Sequence, residues 1–231
     1  MGQFWTWSQW ADSIKSCFEK CFWIPNDTQD PEISYNHGAY KDSFGSSAKF
    51  TDNQLRPNFL VTMTVLMCIY MHKFSFYSLL QLIPSQRGNI KQAPSLFTPE
   101  RAWDALQIVK AQLVGPLGIK TLGPNDWAYR GYYDNSNEST DFSLAKGFNY
   151  HQGPEWLWLT GYYLRALLYF GRHLARINPK SYGHLANEVL ADCQAHLARL
   201  DDHLYSSPWR SLPELTNFNG SVRIPFNKNS F

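Results

Sequence analysis

The chain has 231 residues, long enough for one domain with its own core, and a net charge of only +2 with acids and bases interspersed. That balance excludes the electrostatic footprint of a nucleic-acid-binding domain. Aromatic residues make up 16% of the chain, nine of them tryptophan, a load suited to a thick helical core or to stacking on flat ligands. The four cysteines, Cys17, Cys21, Cys68 and Cys193, include no Cys-x-x-Cys pair, and Cys17 and Cys21, four apart, read as buried thiols on a helix. Such usage fits a reducing compartment, and a cytoplasmic location is expected.

No basic and apolar leader opens the chain, so secretion is not expected and the Asn-x-Ser/Thr sequences carry no weight. Residues 1–6 fit the myristoylation pattern, but Phe4 and Trp5 continue straight into an amphipathic segment, and one acyl chain anchors only marginally. From 5 to 23, apolar residues recur at Trp7, Trp10, Ile14, Phe18, Cys21 and Phe22, one face of a helix that Pro25 ends. Residues 35–58 form a long polar stretch rich in aromatics, of the kind that is functional or disordered; the aromatics favour function. Within it, Arg56 and Asn58 suit sugar hydroxyls or a carboxylate, and equally a surface turn before a helix beginning near Pro57.

Residues 59–83 are mostly apolar but interrupted by His72 and Lys73. The first run is short of the roughly twenty residues that a membrane span needs, and reading through would place charge near the bilayer centre. A membrane span is therefore disfavoured. Thr98-Pro99-Glu100 is a helix start, and Gly115-Pro116 ends that helix. Residues 118–146 read as a second long loop carrying Asp126, Trp127, Tyr129, Tyr132, Tyr133, Asp134 and Asp141, a pattern closer to a ligand surface than to a core.

Residues 146–158 then run from a polar, aromatic loop towards a helix. Gly153-Pro154 predicts a helix start, with Glu155 in the first turn, where the helix dipole stabilises its charge, between Trp156 and a loop bearing His151 and Gln152. These residues are equally consistent with a sugar-binding floor and with a packed loop. The helix is expected to run from Pro154 to about Ile177, and a second one over 182–204 with Leu185, Val189, Cys193, Leu197, Leu200 and Leu204 on one stripe. No strand pattern emerges, so the expected class is all-α, with paired helices in a toroid and long aromatic loops at one mouth.

The reactive candidates are Glu155 and Glu214, with Asp126, Asp134 and Asp141 behind them, because glycoside hydrolysis needs two carboxyls flanking the bond. His151 and Glu155 have the four-residue spacing of helical metal ligands, but Gly153-Pro154 interrupts them, so no metal is expected. No glycine-rich phosphate loop and no nucleophile elbow occur, and no cofactor is expected.

Several stretches together carry a resemblance: Tyr40-Lys41-Asp42-Ser43-Phe44-Gly45, Gln54-Leu55-Arg56-Pro57-Asn58-Phe59, Leu96-Phe97-Thr98-Pro99-Glu100, Tyr133-Asp134-Asn135, residues 146–158 and Leu212-Pro213-Glu214-Leu215-Thr216-Asn217. The chain resembles the C-terminal domain of eukaryotic glycogen debranching enzymes. The resemblance implies part of an (α/α)6 toroid of the glucoamylase-like kind and amylo-α-1,6-glucosidase chemistry, inverting and without cofactor. It implies Glu214 as the general base, with Arg56, Asn58, His151, Gln152, Glu155 and Trp156 lining a glucose pocket. The expected partner is glycogen or a branched α-glucan.

Three departures from the family pattern accompany it. The general acid and the 4-α-glucanotransferase domain would lie upstream, which makes this chain a C-terminal fragment expected to be inactive alone. Residues 1–65 and 93–217 follow the pattern, whereas 66–92 read as an intron-derived insertion whose removal would join Val65 to Ala93. Residues 218–231 lack the family's final helix and read as an aberrant or truncated tail. A non-catalytic module that binds glycogen is the alternative function.

Overall fold

The computed structural model describes residues 4–29, 33, 37–71, 93–143 and 146–222. It is mostly helical, as expected, and it also contains short strands that the sequence did not announce. Helix α1 spans Trp7–Phe22. Thr6 caps it: its hydroxyl accepts from the Gln9 amide at 3.2 Å, while the Gln9 side chain accepts from the Thr6 amide at 2.8 Å. This reciprocal arrangement satisfies two otherwise orphaned donors. Only the C-terminal part of the apolar face reaches the core, through Phe18 and Phe22; Trp7, Trp10 and Ile14 remain exposed. Cys17 is exposed and Cys21 half-buried, so the buried-thiol expectation fails for the first and holds only in part for the second.

The chain then forms β1 (Trp23–Ile24), which pairs antiparallel with β2 (Ala39–Tyr40). Tyr40 is buried against Phe18, Phe59 and Phe97, and its hydroxyl donates to Glu19 Oε1 at 3.0 Å. Glu19 also accepts from the Thr98 amide and from Arg101 Nη1 at 2.8 Å, tying α1 to the start of a distant helix. A one-turn helix α2 (Lys49–Asp52) follows, then α3 (Asn58–Met71) and a 3-10 turn at Ala93–Leu96. Of the expected insertion, residues 66–71 lie within α3, and residues 72–92, with the rest of the apolar stretch, lie outside the described residues. No helix among the described residues is long and apolar enough to cross a membrane.

Helix α4 (Pro99–Ile108) starts where Thr98-Pro99-Glu100 predicted and continues as a π-helical turn at Val109–Leu113. The Thr98 side chain makes no capping bond; its backbone amide is held by Glu19 instead. Helix α5 is the short Lys146–Asn149, and α6 is the long Trp158–Ile177. Asn178 ends α6 and caps α7 (Pro179–Tyr182) by accepting from the Ser181 amide at 3.2 Å. Helix α8 runs from Leu185 to Ser206. The core lies where α6 packs against α3, α4 and α8, with Leu60, Met63, Leu106, Val109, Leu167, Phe170 and Val189 all at most 1% exposed.

Two expectations change here. The buried stripe of α8 is Leu185, Val189, Cys193 and His196, and Leu197 is exposed. At 3.6 residues per turn, position 196 returns to within roughly 20° of Leu185, whereas 197 lies roughly 120° away. The helix expected from Pro154 instead begins at Trp158, because Glu155–Trp156 form a strand, β4. It sits between β3 (Ile119–Lys120) and β5 (Leu215–Thr216) in an antiparallel sheet of order β3-β4-β5. The register pairs Ile119 with Trp156, Lys120 with Glu155, Glu155 with Thr216 and Trp156 with Leu215. Strands of two residues carry no alternation, so only their distant partners reveal them.

Candidate functional site

The sheet brings the two ends of the candidate site together. Gly153 takes φ +141°, and a Cβ there would lie 2.7 Å from the Tyr129 ring and 2.9 Å from the Arg130 backbone. Only glycine fits so close an approach in such a conformation. Its amide donates to the Thr121 hydroxyl at 2.9 Å, which swings the chain into β4 rather than into a helix.

Glu155 is fully buried in that strand. Its Oε2 accepts from the Leu117 amide at 3.3 Å, the Gly118 amide at 3.1 Å and the Thr216 hydroxyl at 3.2 Å. Oε1 has no hydrogen-bond partner among the described residues and lies against Gly115, where an added Cβ would come within 1.8 Å of it. Burial pushes this carboxyl above the ordinary glutamate range, against the pull of the Gly118 and Leu117 amides. The same 116–118 turn is gripped from α8: Leu117 O faces His196 Nε2 at 3.3 Å, and Pro116 O accepts from Arg199 Nε at 3.1 Å. The expected stabilisation of Glu155 by a helix dipole is therefore replaced by direct donors from a turn nearly forty residues upstream. It holds two segments together and offers no surface to a ligand.

Glu214 immediately precedes β5 and is exposed. Its main-chain carbonyl accepts from the Leu157 amide at 3.2 Å, and its Oε2 accepts from the Tyr150 hydroxyl at 2.9 Å. Burial and the neighbouring Glu214 charge raise the Tyr150 phenol above its ordinary range, so this group stays a donor at neutral pH. Tyr150 meets Trp156 edge-on at 4.8 Å between ring centres and accepts the Trp156 indole N–H on its carbonyl at 3.2 Å. His151 stacks on Trp156 at 5.0 Å and 21° and is exposed, so the ring that faces solvent here is the imidazole. Asn217, the last residue of the same motif, accepts from the Tyr133 amide at 2.8 Å and so joins it to Tyr133-Asp134-Asn135.

Arg56 closes the other side. Its Nη1 donates to the carbonyls of His151 at 2.9 Å and Thr121 at 3.1 Å, its Nη2 donates to Gln152 Oε1 at 2.8 Å, and its Nε donates to Gln54 Oε1 at 3.0 Å. Asp42 lies 3.8 Å from Arg56 Nε and accepts from Asn58 Nδ2 at 2.7 Å. Burial raises the Asp42 pKa, while Asn58 and Arg56 pull it down. Asp42 was not singled out from the sequence as a site residue. Its place within Tyr40-Lys41-Asp42-Ser43-Phe44-Gly45, one of the stretches that carry the resemblance, was the available signal.

Arg56, Asn58, His151 and Gln152 thus surround one polar patch, connected through Tyr150 and Trp156 to Glu214. The three reserve aspartates do local work instead. Asp126 is buried and accepts from the Ala128 amide at 2.8 Å; Asp134 and Asp141 accept from the serine two residues on, at 3.0 and 2.8 Å to the amides. Such side-chain turns are the ordinary use of aspartate in loops. Among the described residues, no group of three His, Cys, Asp or Glu is placed to hold a metal ion.

The amylo-alpha-1,6-glucosidase family matches residues 1–83 and 77–225 of this chain. The chain belongs to this family. The glycogen debranching enzyme of Saccharomyces cerevisiae is 35% identical over 93% of the chain. The match covers 13% of that enzyme's own length, so this member of the amylo-alpha-1,6-glucosidase family spans a small part of the relative it matches.

Proposed function

We propose that this chain supplies the general-base half of a glucosidase site that hydrolyses the α-1,6-linked glucose at glycogen branch points. The observation that carries the reading is the exposed Glu214 carboxylate, held on one oxygen by the Tyr150 hydroxyl beside the His151–Trp156 stack. With Oε2 oriented by Tyr150, Oε1 is left to accept a proton from water. That water attacks the anomeric carbon from the face opposite the leaving group, and the bond to O6 of the branch-bearing glucose breaks with inversion. The acid that protonates O6 belongs to chain preceding this one, as does the glucanotransferase domain.

In this reading Arg56, Asn58, His151 and Gln152 hold the hydroxyls of the departing glucose. Trp156 supports the His151 ring, and Glu155 serves the pocket from behind, by fixing the strand that follows Glu214. The helices form part of an (α/α)6 toroid with the 42–58, 118–146 and 150–156 loops at its mouth. The substrate is glycogen or a branched α-glucan, and the site of action is the cytoplasm; the free thiols of Cys17, Cys21 and Cys193 support a reducing compartment. Residues 66–92 are an insertion in this reading; the two stretches of the family match, 1–83 and 77–225, overlap inside them. A mature transcript that joins Val65 directly to Ala93 is expected.

The test is glucose release from a branched limit dextrin by the chain joined to its upstream coding sequence. Glu214→Gln is expected to lower kcat by at least about a thousandfold with KM little changed, because a neutral amide cannot take the proton. Unchanged hydrolysis by that variant would remove Glu214 from the reaction.

A further inference from the structure

Phe50 and Trp127 lie outside the cluster that holds Glu214 and belong to no part of the core. Trp127 is 64% exposed and Phe50 51%, yet the two rings meet edge-on with centres 5.6 Å apart and planes at 65°. An edge-on contact at this exposure leaves an indole face open to water.

Both rings are carried on turns that are tightly held. On the Trp127 side, the Asp126 amide donates to Gly123 O at 3.0 Å, the Tyr129 amide donates to Asp126 O at 3.0 Å, and Arg130 Nη1 donates to Trp127 O at 3.2 Å. On the Phe50 side, Thr51 donates through its amide to Ala48 O at 3.0 Å and through its hydroxyl at 2.7 Å. The exposure is thus built into the loops and does not come from slack chain.

The same turns border the Arg56 patch. Gly123 donates its amide to Leu55 O at 2.9 Å, Asp42 donates its amide to Asp52 O at 3.1 Å, and the buried Asp126 beside Trp127 acts on the Arg56 charge. Lys49 and Asn125, near the pair in sequence, are exposed as well. A flat aromatic face bordered by the polar Arg56 patch matches the two chemistries of a pyranose ring, C–H groups on the face and hydroxyls at the perimeter. An apolar peptide would leave that patch unused.

We infer that Phe50 and Trp127 form a stacking platform for a glucose unit of an α-1,4-linked glucan chain that continues out of the Arg56 patch. This rests on the glucosidase reading for the direction of the chain but not for the platform itself. The platform confers chain-length preference, whereas Arg56 serves the terminal glucose.

Titrating the 231-residue chain and its variants with glucose and with maltohexaose, after circular dichroism has confirmed folding, tests it. Trp127→Ala is expected to weaken maltohexaose binding by about three- to tenfold while leaving glucose affinity within about twofold of wild type. Trp127→Phe should restore most of the loss, and Phe50→Ala should give a smaller one. Maltohexaose affinity unchanged in folded Trp127→Ala, or a wild-type chain that binds no maltohexaose, overturns the platform. Maltohexaose binding that depends on Trp127, alongside glucose binding indifferent to Arg56→Ala, supports the platform and counts against the glucosidase reading.

Discussion

At the scale of single residues, three acids of this chain have three fates set by their surroundings. Glu214 is exposed and held by one phenol, Glu155 is sealed behind it, and Asp52 is a loop staple. Removing Tyr150's hydroxyl as Tyr150→Phe is expected to lower kcat of the completed enzyme by about ten- to a hundredfold, more than it changes KM, since an unheld base is misoriented. Glu155→Ala leaves the Leu117 and Gly118 amides without an acceptor and opens a void. A loss of about 2–4 kcal/mol in urea denaturation is expected. Glu155→Gln keeps both shape and an acceptor oxygen and should cost less; equal losses for the two variants would contradict this account. Asp52 accepts from Ser43 Oγ at 2.6 Å, the Gly45 amide at 2.9 Å and the Ser46 amide at 3.2 Å, and these bonds lower its pKa from 3.8 to about 2. A carboxyl depressed on folding contributes stability above its unfolded pKa and loses it as pH falls. Stability should therefore drop between about pH 4 and 2 in the wild type, and an acid titration of Asp52→Asn should show a shallower slope there.

At the scale of elements, α8 and the three-stranded sheet share the 116–118 turn. His196 faces Leu117 O and Arg199, and burial followed by the Arg199 charge lowers its pKa from 6.5. His173 on α6 is lowered as well, by burial and then Arg176. Both imidazoles are held neutral in the fold, so protonation favours the unfolded chain. The stability they contribute is complete above about pH 6.5 and is lost as pH falls from there through their lowered folded pKa values. Chemical denaturation between pH 7.5 and 5 should show this decline, and His173→Gln with His196→Gln should flatten it. An unchanged slope in the double variant would assign the decline to other groups. Gly153→Ala tests the entry into β4: positive φ and a Cβ 2.7 Å from the Tyr129 ring should cost about 1–3 kcal/mol and displace His151 from Trp156. A loss of the Trp156 fluorescence signature beyond the loss of stability would report that displacement.

At the scale of the whole molecule, the chain carries the proposed general-base side of a site, and on α1 an apolar face where Trp7, Trp10 and Ile14 meet solvent. The 231-residue chain by itself is expected to bind maltooligosaccharides and to release no glucose from a limit dextrin. Rapid release by the isolated chain would show that the missing acid is supplied from within it. The long helices were legible: α1, α4 and α8 lie where periodicity and helix-breaking residues predicted them, and α6 does so apart from its start, because a long helix is a local object whose signal spans many residues. The one-turn helices α2, α5 and α7 carry too short a signal. The Leu197 assignment failed for a narrower reason: strict four-residue spacing drifts off a helix of 3.6 residues per turn, and His196 takes the buried place.

What the sequence determined by itself was the helical class, the membership of Glu214 and residues 146–158 in a recognisable set of motifs, and the small net charge. The tertiary structure alone decided which acids face outward. Glu155 and Glu214 look alike in sequence, each preceded by proline and followed by an apolar residue. One is sealed because Leu117, Gly118 and Thr216 converge on it, and the other is open because the strand turns it towards Tyr150. Strand pairing between residues 119, 156 and 215 joins positions far apart in the chain, and no local pattern encodes a contact whose partners meet only on folding.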